Sequence, residues 1–355
     1  MADNEITIKT AQEPDKPQWD TYILNHPNAT PYHLWAWKQA IETAYGHRAT
    51  YLLAQKNNNI SGVLPLFQLR LAPFINQLVS LPYCDVGNCL ADDSATQDML
   101  LNQAIRLKHN TKSTTLHLRG DLTPAAAADH HFNRINTGKV RLILNLPSTS
   151  QALFNSFKSK LRSQVRKAEK NGVQFRWGHL ADIDAAYHVF AKNMHELGSP
   201  VHSKTFLREV LSRFSNRAKI GLAEYNGKTI GMGIILATDN KISIPWASTL
   251  RVYNRLAPNM LLYWNFLKFS SDNGFQLFDF GRSTMGEGTY KFKQQWGAKP
   301  IPLIWYDAVN TPSNKAPHPQ NGTHANREHL SAAWRKLPLT LATRIGPQVR
   351  KYINL

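Results

Sequence analysis

Four clusters in the 355-residue chain combine residue types that bind anions or move protons. The first is Gly281-Arg282-Ser283-Thr284-Met285-Gly286, which follows the apolar run Phe275–Phe280. That run reads as a buried strand, and ligands of open α/β sheets gather at strand ends. Arg282 can grip a phosphate or carboxylate through two parallel hydrogen bonds, or it can simply pair with Asp279. Ser283 does not have nucleophile-elbow spacing, because one residue too many precedes the second glycine. The second cluster is Lys291, Phe292, Lys293 and Trp296. On a helical turn Phe292 and Trp296 share one face and Lys293 points elsewhere. A lone lysine is ordinarily a solvated one. The third is Asn259, read as the cap of a helix running to Asn273, with Arg251 and Arg255 just upstream. Free N–H groups and the positive dipole end of such a helix suit a phosphate or an oxyanion. The plain alternative is that Asn259 is only a cap. The fourth is His195, Glu196 and His202 around Gly198-Ser199-Pro200. A histidine there can deprotonate an amine, and Glu196 would need burial to become more than a weak base. Trp246 and Tyr253 either line an acceptor pocket or belong to the core.

The elements that must carry these clusters follow from hydrophobic spacing. Helices are expected over Asp182–Leu197, Thr205–Phe214 and Asn259–Asn273. Strands are expected over Ile220–Tyr225, Thr229–Thr238, Lys241–Trp246, Phe275–Phe280 and Ile301–Tyr306. Asn226–Gly227 and Asp239–Asn240 mark two antiparallel hairpins, and Thr289–Gly297 reads as a short helix or turn. Upstream, Phe154, Phe157, Leu161, Val165 and Ala168 form one face of a basic helix ended by Asn171–Gly172. Lys158, Lys160, Arg162, Arg166, Lys167 and Lys170 cover its other side, either as a solvated face or as a track for phosphates. Val173, Phe175 and Trp177 alternate as a strand.

The first half shows a weaker version of this order. A helix spans Pro31–Ala44, and Tyr51–Ala54 with Ile60–Leu69 make a hairpin around Asn57-Asn58-Asn59. A short apolar run, Val79–Leu81, precedes a helix over Asp98–Lys108 and a strand over Thr114–Leu118. Ala125–Ala128 reads as a small-residue connection, and Val140–Leu146 as a strand.

Composition bounds the class. A single core rarely grows beyond ~250–300 residues, so two domains are expected. Hydrophobic residues are 42% and charged residues 19%, the balance of a globular chain. The net charge of +18, from 42 basic and 24 acidic residues, favours anionic partners. The start, MADNEITIKTAQEPDKPQW, has no basic-then-apolar signal pattern, and no run reaches the ~20 apolar residues of a membrane span. Cys84 and Cys89 read as free thiols in a reducing, cytoplasmic setting. No Cys/His set has metal spacing, and no DNA-reading motif is present. Residues 310–327 are rich in Pro, Asn and His and read as a flexible linker. The basic tail 328–355 is broken by Pro338 and Pro347. It is expected to dock on the body, with peripheral contact to an anionic membrane face as the alternative.

Four stretches together resemble the FemAB-like family: LRSQVRKAEKNGV (Leu161–Val173), HELGSPVHS (His195–Ser203), STLRVYNRLAPNMLLYW (Ser248–Trp264) and FDFGRSTMGEGTYKFKQQWGA (Phe278–Ala298). The last looks like the branch associated with exosortase/PEP-CTERM and exopolysaccharide loci. The resemblance implies two tandem acetyltransferase-like (GNAT-like) α/β domains with mixed, largely antiparallel sheets flanked by helices, at 1–148 and 149–309. It implies an acyltransferase with no permanently bound cofactor. The donor would be an aminoacyl-tRNA, or alternatively acyl-CoA or an acyl carrier. The acceptor would be an amine on a peptidoglycan, polysaccharide or lipid-linked precursor. By the same resemblance Phe292–Lys293 matches the family's Phe-Lys pair near the catalytic centre, so Lys293 would neutralise donor phosphate or oxyanion charge. Arg282, Glu196 and His195 complete the catalytic candidates. Arg251, Arg255, Asn259 and Lys291 are donor-binding candidates, and Trp246, Tyr253, Ser283, Phe292 and Trp296 would contact substrate. Acyl-CoA-dependent relatives carry glycines in the loop corresponding to Arg251–Asn259. This chain has none there, which argues against acetyl-CoA. A non-catalytic RNA- or membrane-binding scaffold is the competing class.

Overall fold

A computed structural model of the chain describes residues 5–72, 75–309 and 324–353. Its described residues fall into two compact units, 5–139 with 302–309 and 140–301 with 324–353.

In the first unit the order is β1 (Ile6–Thr10), α1 (Lys16–Asn25), α2 (Trp35–Tyr45), β2 (Arg48–Lys56), β3 (Asn59–Ala72), β4 (Ile75–Val79), β5 (Leu90–Ala91), α3 (Ser94–Asn110), β6 (Thr115–Arg119) and α4 (Pro124–Asp129). Its strands run β1-β2-β3-β4-β6, with the later β13 (Lys299–Val309) antiparallel to β6. The β2–β3 turn holds Asn57 and Asn58 at φ 52° and 62°, a left-handed pair that matches strand twist. β4 and β6 are parallel, pairing Gln77–Val79 with Thr115–His117. One apolar layer joins Leu52, Leu64, Leu66, Leu100, Leu116 and Leu118. Elsewhere in this unit Trp19 stacks on Tyr51 at 4.8 Å, with Trp35 edge-on at 5.5 Å.

The second unit begins inside β7 (Asn133–Asn145) and continues α5 (Ser150–Ser156), α6 (Ser159–Lys170), β8 (Gln174–Gly178), α7 (Ile183–Glu196), α8 (Lys204–Phe214), β9 (Ala218–Tyr225), β10 (Lys228–Ala237), β11 (Lys241–Thr249), α9 (Pro258–Asp272), β12 (Leu277–Thr284) and α10 (Gly288–Gln294). After β13 the tail adds α11 (His324–Lys336) and α12 (Leu339–Arg350). The strands β8, β9, β10 and β11 are antiparallel neighbours, and β11 then pairs parallel with β12. Each unit thus has an antiparallel run, one helix, and a parallel return strand. Phe266, Phe278, Phe280 and Trp296 centre the core, and Leu161, Val165 and Ala168 seal it from α6.

Three expectations need correction. The helix expected through Phe154–Ala168 breaks at Phe157–Lys158, where both residues are extended. Arg162 donates to the carbonyls of Asn155 and Phe157 there, closing the end of α5. The connection at Ala125–Ala128 is the short helix α4, started by a Thr123 cap and Pro124. Pro347 does not break α12 but lies inside it. The chain enters the second unit within β7, and α5 and α6 belong to that unit. Of the segment read as linker, 310–323 lie outside the described residues, and α11 already begins at His324.

Candidate active site

The parallel neighbours β11 and β12 pair only through Lys241–Ser243 and Leu277–Asp279. Both strands run on, to Thr249 and Thr284. On its other side β11 carries an extra residue against β10: Ile234 pairs with Trp246, but Leu236 with Ser243. Pro245, which has no N–H to offer a ladder, falls in this bulge. The bulge bends β11 where its pairing with β12 ends. The result is a crevice at the carboxyl edge of a parallel pair, the usual ligand position in such sheets.

Beyond β11, Arg251–Leu256 form a tight 3-10 turn with Arg251 and Arg255 exposed. Ala257 is left-handed at φ 58° and Pro258 opens α9. Asn259 is therefore not the cap: it is the second helical residue, half-buried, and the cap position is Ala257. Within this loop the N–H groups of Tyr253, Ala257 and Met260 already donate to Leu250, Asn254 and Ala257. Tyr253 is half-buried, with its ring 6.2 Å from Tyr225.

At the end of β12, Asp279 does not rely on Arg282. Its Oδ2 accepts from Arg141 Nε at 3.1 Å and from the same guanidinium's Nη2, and its Oδ1 accepts the Gly281 N–H at 2.8 Å. Gly281 can take that turn because it stands at φ 71°. Arg282 is half-buried and Ser283 buried, the hydroxyl of Ser283 donating to the Arg282 carbonyl at 2.9 Å. Lys293 reaches across from α10. Its Nζ donates to the carbonyls of Arg282 at 2.7 Å and Gly281 at 3.2 Å. Lys291 is exposed. Phe292 and Trp296 do share a face, with rings 6.2 Å apart, and both meet Tyr263 of α9. Arg282, Ser283, Phe292, Lys293 and Trp296 are thus gathered around β12 and α10.

His195, Glu196, His202 and Trp246 form a second group, under α7, α8 and the tail. Trp246 is buried, with its ring 5.9 Å from His202 and 5.6 Å from Phe206 of α8. Nearby, Asn193 Nδ2 of α7 donates to Ser248 Oγ at 3.0 Å. The tail docks on this layer. His195 Nε2 donates to the Leu337 carbonyl at 2.8 Å, which leaves Nδ1 as its basic nitrogen. Gly198, left-handed at φ 73°, leaves room for Ser331, whose carbonyl oxygen would lie 2.6 Å from any Cβ placed there. Glu196 Oε2 is buried with no hydrogen-bond partner.

His202 is 2% exposed and accepts a hydrogen bond from Arg350 Nε on its own Nε2, at 3.1 Å. Burial first, and the Arg350 charge second, hold its imidazole well below the ordinary histidine range. The unfolded chain then binds a proton that the folded one does not, so stability falls as pH drops below about 6.5. We expect the melting temperature to decrease between pH 7 and pH 5 and His202→Gln to flatten that slope. An unchanged slope in the variant would contradict the burial of a neutral His202.

The first unit has a counterpart crevice beyond β4 and β6, and its own chain fills it. Leu81 and Tyr83 adopt left-handed φ of 42° and 67° to turn the 80–89 loop inward. Arg119 Nη1 holds the carbonyls of Leu81 and Cys84 at 3.1 and 2.9 Å, and Trp305 Nε1 donates to the Asp85 carbonyl at 3.0 Å. Asn88 donates to the carbonyls of Gly120 and Asp121. Among the described residues no cluster of three His, Cys, Asp or Glu is placed to hold a metal, and no helix is long and apolar enough to cross a membrane.

Residues 155–294 match the sequence profile of the acetyltransferase (GNAT) domain. The second unit carries a GNAT acyltransferase domain. The chain is similar in fold to FemX, with a TM-score of 0.71 at 13% identity over 85% of this chain and 97% of that one. It is also similar to the C-terminal domain of a putative lysylphosphatidylglycerol synthetase from Agrobacterium fabrum, at TM-score 0.57 and 10% identity, covering 90% and 95%. A tandem GNAT protein from the clavulanic acid biosynthesis pathway matches at TM-score 0.54 and 13% identity, covering 87% and 100%. No curated protein matches the chain in sequence. The GNAT-like mixed α/β architecture expected from the sequence is present. The sequence reading missed Arg141 and Arg350. Arg141 was detectable as a lone charge among Val140, Leu142 and Leu144, which alternate into the core.

Proposed function

We propose that the chain transfers an acyl group, in the first instance an aminoacyl group from a charged tRNA, to an amine on a cell-envelope or exopolysaccharide precursor. The carrying observation is the Lys293 ammonium, fixed by two carbonyls at the carboxyl end of β12. A cation held there without reorganisation can meet an oxyanion or a donor phosphate, and such preorganised charge is the largest source of catalysis in acyl transfer. Transfer is direct. The Ser283 hydroxyl hydrogen is committed to the Arg282 carbonyl, so it has no activated nucleophile character. Binding donor and acceptor side by side then supplies the rate through proximity. His195, with Nδ1 as its basic nitrogen, and Glu196 are the candidates for removing the amine proton. The FemX fold and the lysyl group named in the second structural relative support an aminoacyl donor. The exposed cations Lys158, Lys160, Arg166, Lys167 and Lys170 support a polyanionic one.

The test is transfer of labelled amino acid from a mixed charged-tRNA pool to an amine in envelope extract. The product should be an amide that survives mild alkali. Label released only as free amino acid, at the no-enzyme rate, would sink the reading.

Acetyl-CoA is the competing donor, and the loop geometry disfavours it. Three N–H groups of the Arg251–Met260 segment are spent on its own turns, and the segment has no glycine to bring bare backbone to a pyrophosphate. Calorimetric titration should detect no acetyl-CoA binding in the low-micromolar range. A Kd of about 1 µM, worth ~8 kcal/mol, would make acetyl-CoA the donor instead.

A further inference from the structure

Helix α12 turns one face to the body of the second unit and keeps a second, apolar face outside. Ala342, Gly346 and Arg350 recur every fourth residue and so share one side of the helix. This side is the docked one. Ala342 and Gly346 are buried, any Cβ placed on Gly346 would lie 3.2 Å from Val201, and Arg350 Nε donates to His202 at 3.1 Å. Leu341, Ile345 and Val349 repeat the same spacing one position earlier, roughly 100° around the helix. Leu341 is 43% exposed and Val349 41%, Ile345 is half-buried, and exposed Ile353 continues the row just past the helix end. Among the described residues, four of the ten large apolar side chains left exposed lie in the tail: Leu330, Leu341, Val349 and Ile353. Apolar residues gathered in this way mark an interaction surface, whereas scattered ones do not. Cations flank the row. Arg335 and Lys336 end α11, Arg344 is exposed on α12, and Lys351 stands at its carboxyl end. No Asp or Glu stands between Glu328 and Leu355.

We propose that the outward face of α12 is a peripheral contact for an anionic lipid bilayer. Leu341, Ile345, Val349 and Ile353 enter the boundary between headgroups and acyl chains, and Arg335, Lys336, Arg344 and Lys351 meet the lipid phosphates. Helices that lie in a membrane interface divide their surface in this way, and anionic headgroups attract such basic clusters. A second copy of this chain fits the row less well. It would bring two acid-free cationic tails together, on chains that each carry a net charge of +18. One helix of twelve residues gives a reversible contact rather than an anchor. The inference goes beyond the proposed acyl transfer and does not depend on it, since Arg282, Ser283, Phe292, Lys293 and Trp296 take no part.

The test is co-sedimentation of the full chain with large unilamellar vesicles, with neither donor nor acceptor present. Equimolar phosphatidylcholine–phosphatidylglycerol vesicles should bind it at least about tenfold more tightly than phosphatidylcholine alone, and added salt should weaken the binding. Leu341→Gln with Val349→Gln changes two exposed residues of the row. It should weaken binding at least about tenfold at an unchanged melting temperature. Arg335→Gln, Lys336→Gln and Arg344→Gln together should weaken it as well and reduce its salt dependence. Lys160→Gln with Lys167→Gln, on the basic face of α6, should leave most of the binding in place. Equal binding to both vesicles, or none to either, would overturn the proposal. So would unchanged affinity in the Leu341, Val349 variant, because overall charge would then suffice, or loss of binding in the α6 variant alone. A wild-type dimer in light scattering that the Leu341, Val349 variant dissociates would give the row to a second copy and overturn it too.

Discussion

Replacing Lys293 by methionine is expected to slow amide formation roughly 100- to 1000-fold, the loss of ~3–4 kcal/mol that follows removal of one preorganised donor from a dry site. The stability effect should be smaller. The ammonium donates to the Gly281 and Arg282 carbonyls, and charged hydrogen bonds of this kind contribute ~1.5–3 kcal/mol, less where water can replace the donor. Lys291→Met is the control, because Lys291 is exposed two positions away with the same charge. Exposed substitutions of that sort change stability by under ~0.5 kcal/mol. Turnover of Lys293→Met within a few-fold of wild type would remove Lys293 from the chemistry. Arg282 and the amino end of α9 would then be the remaining anion-binding groups of the crevice.

Loss of the Arg141 charge is expected to have the largest effect on stability. Arg141→Met takes from Asp279, whose carboxylate is mostly buried, its hydrogen-bonded partner and leaves only the charge of nearby Lys241, and breaking one side of a buried pair costs ~3–5 kcal/mol. The lower end of that range is expected here, since about a fifth of the Arg141 side chain remains accessible. Asp279 also fixes the Gly281 N–H, so the turn that presents the Arg282 carbonyl to Lys293 should loosen as well. Activity should fall with stability. The double variant Arg141→Met, Asp279→Leu tests the cause, because it removes both members of the pair and leaves only the Lys241 charge beside them. Urea unfolding should show the double variant more stable than Arg141→Met alone. If the two losses simply add, the pair is not what holds this turn.

Much of the frame was legible locally. Asn57-Asn58 and Asn226-Gly227 announce hairpins because few other residues tolerate the left-handed backbone that such turns demand. The alternation of Val140, Leu142 and Leu144 and the helical stripe of Leu161, Val165 and Ala168 gave their elements the right faces. Helix α1 escaped notice because only Trp19 and Ile23 of its ten residues are buried, too few to print a period. The break between α5 and α6 was hidden because Phe157 stays in register with the apolar stripe although its backbone is extended. Candidate residues could be grouped where they share a segment, as Phe292, Lys293 and Trp296 do. They were not readable where partners lie far apart in sequence. The contact between Arg350 and His202 spans 148 positions, and the one between Arg141 and Asp279 spans 138. No local pattern carries information over that distance. The filled crevice of the first unit was equally hidden, since Leu81 and Tyr83 take left-handed backbone that their side chains disfavour and only the surrounding contacts impose.

The most direct measurement is hydrogen–deuterium exchange of the full chain with and without the donor that supports transfer, a charged tRNA in the proposed reaction. Peptides covering Arg251–Met260 and Gly281–Lys293 should gain protection on binding, and the 80–89 loop of the first unit should not change. Protection confined to the 80–89 loop, with none at the ends of β11 and β12, would place the donor in the first unit and contradict the assignment of the active crevice to the second.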